Sequence, residues 1–296
     1  VKAVYGGSAE AVRHHYDVGR TFYSAWLDPT LTYSSALWTA PTDTLERAQL
    51  RKLNYHASNV SAGPDSRILD VGCGWGSMLR HLQTSRAVKA GVGLTLSEDQ
   101  YEHVRGLDLP RTEVRLQSWA DYQPTMAFTG IISIGAFEHF ADPRQSDAER
   151  REVYRDFFLR TASWLEPRGS LSLQTIAYGE MDRSQANEFI QKSIFPAAEL
   201  PTMEDIVVAS RGAFELVSLR NDREDYARTC ETWAERLRQK ARSDPDFASS
   251  ELVDTYLEFL LLSAAGFRMG KINLLRLHLR RPGWVRRSAS SRSRQG

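Results

Sequence analysis

Three glycines at alternate positions, Gly72, Gly74 and Gly76, follow the aliphatic run Arg67–Val71 with its acidic Asp70. Glycine there lets the backbone turn sharply and lets a ligand approach main-chain atoms that a Cβ would obstruct. Dinucleotide sites use the longer Gly-x-Gly-x-x-Gly spacing and hold a pyrophosphate at the N-terminus of the next helix. Here the third glycine comes one residue early, which suits a ligand without a pyrophosphate. Where an acid would usually meet ribose hydroxyls, this chain has Gly93-Leu-Thr-Leu-Ser97 followed by Gln100. Thr95 and Gln100 offer polar partners to a ribose or to another part of the ligand, or are simply a strand end and a helix start. Glu138 follows a further aliphatic run, 130–134, at the kind of strand end where ligands gather in open α/β sheets. Its plain alternative is a surface or helix-capping carboxylate. His14 and His15 have no cysteine or acidic partners at metal-ligand spacing, so no metal site is expected.

The hydrophobic pattern supplies elements to position these residues. Segments 67–71, 88–94, 113–117, 130–134 and 170–176 read as strands. A helix over 147–165 carries Val153, Phe157, Trp164 and Leu165 near one face and is stopped by Pro167 and Gly169. Alternating strands and helices imply a mainly parallel sheet covered on both faces, which 213–219 and 273–279 could complete. Residues 1–60 read as a polar helical cap with aromatic clusters at Phe22, Tyr23 and Trp26 and at Tyr33 and Trp38. A catalytic domain is expected over 61–280, with helical insertions near 181–209 and 225–266 as candidate substrate lids. Residues 281–296 form a basic tail; 280–296 hold six arginines and no acid. A solvated, disordered tail is preferred over an anchor to anionic lipid, and weak membrane-surface contact stays open.

The 296 residues are 42% hydrophobic and 25% charged, which describes a globular chain able to bury a core without disulfides or metals. Its 38 basic and 37 acidic residues nearly cancel, so net charge lends no support to a nucleic-acid partner. Two cysteines, Cys73 and Cys230, exclude a disulfide framework and fit a reducing, cytoplasmic setting. No apolar run with a small-residue cleavage site opens the chain. The longest apolar stretch, 257–267, is interrupted by Glu258 and falls short of the roughly 20 residues that span a bilayer.

The Asp-x-Gly-x-Gly-x-Gly form fits a class I methyltransferase, a Rossmann-like, doubly wound α/β sheet that binds S-adenosylmethionine. Further stretches occur in order: His15-Tyr16-Asp17, Asp28-Pro-Thr-Leu-Thr-Tyr-Ser34, Ser133-Ile-Gly-Ala-Phe-Glu-His-Phe140, Ile194-Phe-Pro196, Leu200-Pro201, Tyr226-Ala-Arg-Thr229 and Gly266-Phe-Arg268. With the glycine loop and the Gly93 to Ser97 segment, they resemble the cyclopropane fatty acid synthases, especially the branch of mycolic acid cyclopropane synthases and methyltransferases. The related phospholipid enzymes carry an additional N-terminal domain for which this length leaves no room.

The resemblance implies a set of residues around the cofactor: Tyr33, Ser34, Gly72, Cys73, Gly74, Gly76, Thr95, Leu96, Gln100 and Trp119, the last with its ring beside the adenine. Ala120 stands where the mycolic branch often has an acid, which removes one adenine hydrogen bond. The resemblance also implies attack by a substrate double bond on the methyl carbon, leaving a carbocation. Apolar and aromatic walls shield such a cation, and Tyr16, Phe22, Tyr33, Phe137, Tyr226 and Trp233 are candidates. In the family a bicarbonate ion serves as base, cradled by a Cys backbone, Glu and His side chains, an Ile backbone and a Tyr hydroxyl. The corresponding residues here are Ser35, Glu138, Gln174, Ile176 and Tyr226, and Ser263 stands where another cysteine is common. Gln174 can donate a hydrogen bond but cannot carry charge or relay a proton. These departures lead to a C-methyltransferase that transfers a methyl or methylene group to an alkene carbon. Its substrate would be a hydrophobic small molecule or a chain borne by an acyl carrier. A true cyclopropane synthase, a small-molecule N-methyltransferase and a non-catalytic S-adenosylmethionine-binding scaffold are the alternatives.

Overall fold

A computed structural model of the chain describes residues 19–181 and 199–283. The expectations for His14, His15 and Tyr16, the motif around Phe195, most of the insertion at 181–209 and the tail from 284 onward lie outside the described residues.

Short aliphatic runs bounded by turn residues become strands: β1 (Arg67–Val71), β2 (Ala90–Thr95), β3 (Thr112–Leu116), β4 (Phe128–Ile134), β5 (Leu165–Tyr178), β6 (Glu215–Asn221) and β7 (Ile272–Arg280). They form one seven-stranded sheet in the order β3-β2-β1-β4-β5-β7-β6. The first five pair in parallel, and β7 runs antiparallel to both β5 and β6. Strand order reverses between β1 and β4, so a crevice opens beyond the carboxyl ends of those two strands. The doubly wound α/β expectation holds.

The helices are α1 (Arg20–Ser24), α2 (Leu45–Asn59), α3 (Ser77–Arg86), α4 (Glu98–Gly106), α5 (Asp147–Trp164), α6 (Met203–Ser210), α7 (Arg223–Ser243), α8 (Pro245–Ala248) and α9 (Glu251–Arg268). Side chains alternate across each strand, so the sheet feeds two cores. Leu69, Ile131, Leu171 and Leu277 pack with Phe157 and Phe158 of α5. Ile68 and Ile132 pack on the other side with Leu53 and Ala57 of α2 and Met78 and Leu82 of α3. A third cluster, rich in aromatics, forms where α1, α7 and α9 meet β7 and includes Trp26, Trp233, Tyr256 and Leu274.

β5 differs from the sequence reading. α5 opens on a capping box between Ser146 and Glu149 and ends at Trp164, but Leu165 is already extended and pairs with Phe128. Pro167 and Gly169 therefore lie inside β5 rather than in a turn, and the β4 pairing slips between Phe128 and Gly130. Such an irregularity is where a strand tolerates a residue without an N–H.

Gly130 lets β4 lie against the end of α2, because a Cβ on it would come within 2.5 Å of the Val60 Cβ. Gly130→Ala should overpack this contact and destabilise the protein by about 1–3 kcal/mol, read from the urea midpoint at unchanged slope.

Candidate active site

β1 turns into α3 through Gly72, Gly74 and Gly76, all in the left-handed region with φ of 80°, 53° and 82°. The amides of Gly72 and Cys73 both donate to the Leu94 carbonyl, at 3.0 and 2.9 Å, tying the loop to the end of β2. A Cβ on Gly72 would meet that of Ala136 at 2.4 Å, so the loops after β1 and β4 touch with no room between them. Gly76 serves a different purpose. A Cβ there would strike Val104 of α4 at 2.9 Å, and Gly76 is not among the residues lining the adjoining cavity. Gly76 therefore lets the loop lie against α4, between Trp75 and Ser77, which do line the cavity.

The glycine loop borders a cavity of about 150 Å³. Tyr33, Ser34, Gly72, Cys73, Gly74, Thr95, Leu96, Gln100 and Trp119 all line it. Thr95 Oγ1 donates to Gln100 Oε1 at 2.8 Å, so these two meet each other across the strand end. Trp119 packs edge-on against Phe157 and tilted on Phe140.

Two charged residues also line this cavity: Asp70, the acid that opens the glycine motif, and Lys52, which sequence reasoning missed. Lys52 Nζ donates to Ser34 Oγ at 2.8 Å. Burial pushes Lys52 down to about 7, helped by Arg276 and opposed by Asp28 and Asp70. Burial pushes Asp70 up to about 7, opposed by Lys52. A signal for Lys52 does exist: it falls in step with Leu45, Ala48, Gln49 and His56 on the buried face of α2.

A second, inner cavity of about 50 Å³ shares Tyr33, Ser34, Gly135 and His139 with the first, so the two are contiguous. It is lined by four of the five expected catalytic residues, Glu138, Gln174, Ile176 and Tyr226. Glu138 sits in a 3₁₀ turn just after β4. Its Oε1 accepts the Ile176 amide at 2.6 Å, while its buried Oε2 has no hydrogen-bond partner. The Ile176 N–H is thus committed to the carboxylate. Burial raises Glu138 from 4.5 to about 7, against the lowering effect of the Ile176 amide. His139 is pushed down to about 4 by burial and is neutral. Tyr226, in the first turns of α7, stacks on Phe267 with ring centroids 4.6 Å apart.

Ser35 is the expected residue that does not reach the cavity. It is fully buried, its Oγ donates to the Ala36 carbonyl at 3.0 Å, and Arg276 lies between it and Gln174. Of the candidate aromatic walls, Tyr33, Tyr226 and Trp233 line the inner cavity. Phe22 instead packs with Phe247 and Tyr256, and Phe137 stacks on Tyr154 in the core under α5. An aromatic residue satisfies any apolar cluster, so its type alone does not select the wall. Phe259, Phe267, Leu200 and Leu274 complete the lining, with Cys230 and Ser263, whose buried Oγ has no partner. Among the described residues no three His, Cys, Asp or Glu side chains come together as a metal site, and no helix is long and apolar enough to cross a membrane.

A family model described as mycolic acid cyclopropane synthetase matches residues 6–277. Cyclopropane mycolic acid synthase MmaA2 of Mycobacterium tuberculosis is 34% identical over 285 residues, covering 90% of this chain and 94% of the relative. A solved structure of MmaA2 aligns at 32% identity with a TM-score of 0.82, over 93% of this chain and 99% of that one. Mycolic acid cyclopropane synthase CmaA1, solved with SAH and CTAB, aligns at 28% identity with a TM-score of 0.83 over the same shares, 93% and 99%. Coclaurine N-methyltransferase, at 17% identity and a TM-score of 0.72 over 92% of this chain and 85% of that one, shares the fold.

Glu138 takes up a proton on folding, because its folded pKa lies above its unfolded one. The stability this contributes is complete below about pH 4.5 and is lost as pH rises through about 7. Glu138→Gln escapes that loss. Urea denaturation at about pH 5 and about pH 8 should show the variant gaining on the wild type by up to about 3 kcal/mol.

Proposed function

We propose, for a chain that belongs to the mycolic acid cyclopropane synthetase family, that the two contiguous cavities join a methyl donor to an unsaturated acceptor. The reaction is transfer of a methyl or methylene group from S-adenosylmethionine to an alkene carbon of a hydrophobic, acyl-like substrate. The single observation that carries this reading is Glu138, whose unpartnered Oε2 stands in an aromatic-walled cavity opening onto the glycine-loop cavity.

S-adenosylmethionine, when bound, supplies an electrophilic methyl group, and alkene attack on it leaves a carbocation on the substrate. The residues of the first cavity fit that cofactor. Gly74 leaves main-chain atoms open to approach, Lys52 and Asp70 offer opposite charges to a zwitterionic amino acid group, and Trp119 offers a ring to the adenine. In the inner cavity, Tyr33, Tyr226 and Trp233 present π faces that favour a cation and exclude water. α7 and α9 supply much of this wall and act as the lid over the substrate.

A cation formed there must lose a proton for a ring to close, and bicarbonate, when bound, supplies the base. The chain's own groups suit an anion: Glu138 holds a proton near neutral pH and can donate it in a hydrogen bond, and the Gln174 amide and Tyr226 hydroxyl are further donors. Ser35 takes no direct part. Plain methylation is the second reading, favoured by Gln174, which cannot carry the charge of a histidine at that position. Two buried free cysteines support a reducing, cytoplasmic setting.

Unsaturated acyl carriers, phospholipids, isoprenoids and aromatic small molecules should be incubated with methyl-deuterated S-adenosylmethionine, with and without bicarbonate, and weighed by mass spectrometry. Gain of CD₂ that depends on bicarbonate identifies ring closure, and retention of CD₃ identifies methylation. Label found on nitrogen alone, or nowhere, overturns the reading. Glu138→Gln should lower turnover about 100-fold or more while leaving S-adenosylhomocysteine affinity within about threefold by calorimetry. Gly72→Ala should do the reverse, weakening S-adenosylhomocysteine at least about tenfold because the new Cβ drives the two loops apart.

A further inference from the structure

Arg276, near the middle of β7, has no exposed surface, yet it is a full cation behind the inner cavity. Its Nε donates to Gln174 Oε1 at 2.8 Å. Its Nη2 donates to the Ala36 carbonyl at 2.8 Å and lies 3.4 Å from the Ser35 carbonyl and Oγ. Its Nη1 pairs with Asp222, beside the start of α7, and lies 3.7 Å from Asp225. One guanidinium thus joins the strand that carries Gln174, the segment that carries Ser35 and the helix that carries Tyr226.

The chemistry of these partners removes an ambiguity that a glutamine otherwise has. An amide offers an acceptor oxygen on one side and two N–H donors on the other, and a guanidinium only donates. With Arg276 on one side, Gln174 must turn its oxygen there. His56 reinforces this from α2. Asn59 donates to Ser172 Oγ at 3.0 Å, and in the tautomer that matches Gln174 the Ser172 hydroxyl donates to His56 Nδ1 at 2.8 Å. A neutral His56 then carries its own proton on Nε2, which faces Gln174 Oε1 at 3.4 Å. The N–H₂ of Gln174 is left for the cavity that it lines.

We propose that Arg276 is a positioning residue: it locks the Gln174 amide with oxygen inward, so that a neutral side chain becomes an oriented donor facing Glu138 across the inner cavity. The proposal rests on the catalytic reading of that cavity, and its test separates the two. A buried charge reaches the cavity through this one hydrogen bond, which polarises the amide and strengthens its N–H donors.

The test is nuclear magnetic resonance of the full chain, ¹⁵N-labelled at glutamine and saturated with S-adenosylhomocysteine, with the Gln174 amide assigned through Gln174→Leu. In the wild type the expected result is one protected N–H₂ pair without a strong Overhauser effect to Arg276 Hε. A strong effect would mean the amide is reversed, and would overturn the proposal without any variant at Arg276. In Arg276→Met the pair should move, and its exchange with water should accelerate at least about tenfold, with Arg276→Lys restoring most of the protection. The double variant Arg276→Met/Asp222→Asn removes the charge and its counter-ion together, and gives the same readout should the single variant bind S-adenosylhomocysteine poorly. An unchanged pair in a variant that still binds S-adenosylhomocysteine overturns the proposal. Added bicarbonate should shift the wild-type pair. If it does not while the Met variants behave as expected, the anion reading fails and the orientation by Arg276 stands.

Discussion

Residues 31–38 form a segment without regular structure that is nevertheless buried everywhere except at Tyr33. A helix or strand satisfies its own polar backbone, but a buried irregular segment must borrow partners, at about 1–3 kcal/mol for each group left unpaired. Asp28 accepts from the Thr32 amide, Gln49 donates to the Thr32 and Ser34 carbonyls, and Arg51 donates to that of Leu37. Thr229 and Asp225 of α7 accept from the Ala36 and Trp38 amides, and Arg276 of β7 donates to the Ala36 carbonyl. The need to satisfy one stretch of backbone therefore recruits α2, α7 and β7 to the same place. α7 and β7 also wall the inner cavity and α2 the glycine-loop cavity, so the geometry of both follows from the segment's hydrogen bonds.

The same recruitment explains the electrostatics. Ionisable side chains buried beside this segment and the cavities are desolvated, and burial pushes each toward its neutral form: Lys52 and His56 down, Asp70 and Glu138 up. Burial pushes Arg276 down as well, opposed by Asp222 and Asp225, and its guanidinium still keeps its charge at ordinary pH. The outcome is a cofactor cavity whose acid and base sit close to balance and an inner cavity whose carboxyl can hold a proton in neutral solution.

Legibility from sequence divides along the same line. The glycine loop, the strands and Glu138 were readable because turn chemistry, alternation and strand-end position are local properties. The contact of Gly76 with Val104 was not foreseen, and neither Phe22, which packs in the wall's own cluster on Phe247, nor Phe137, which stacks on Tyr154, lines the cavity itself. Each error concerns what a residue meets across the fold, which spacing does not encode. Arg276 reads as an ordinary residue of a late strand, and only its contacts reveal its charge beneath Gln174. Ser35 matched a family position through its backbone, and here its carbonyl and Oγ face Arg276.

The hydrogen bond from Arg276 to Ser35 joins residues 241 apart in sequence, and that from Ala36 to Thr229 spans 193. On a ribosome adding about 5–20 residues per second, the early segment waits on the order of tens of seconds for its partners. Throughout that interval its backbone remains hydrated, and the wall it will form does not yet exist. The sheet can begin to assemble around β1, β2 and β4 while synthesis continues, but the inner cavity is finished only as β7 is threaded between β5 and β6. Emergence of β7 and competence of the site are thereby the same event.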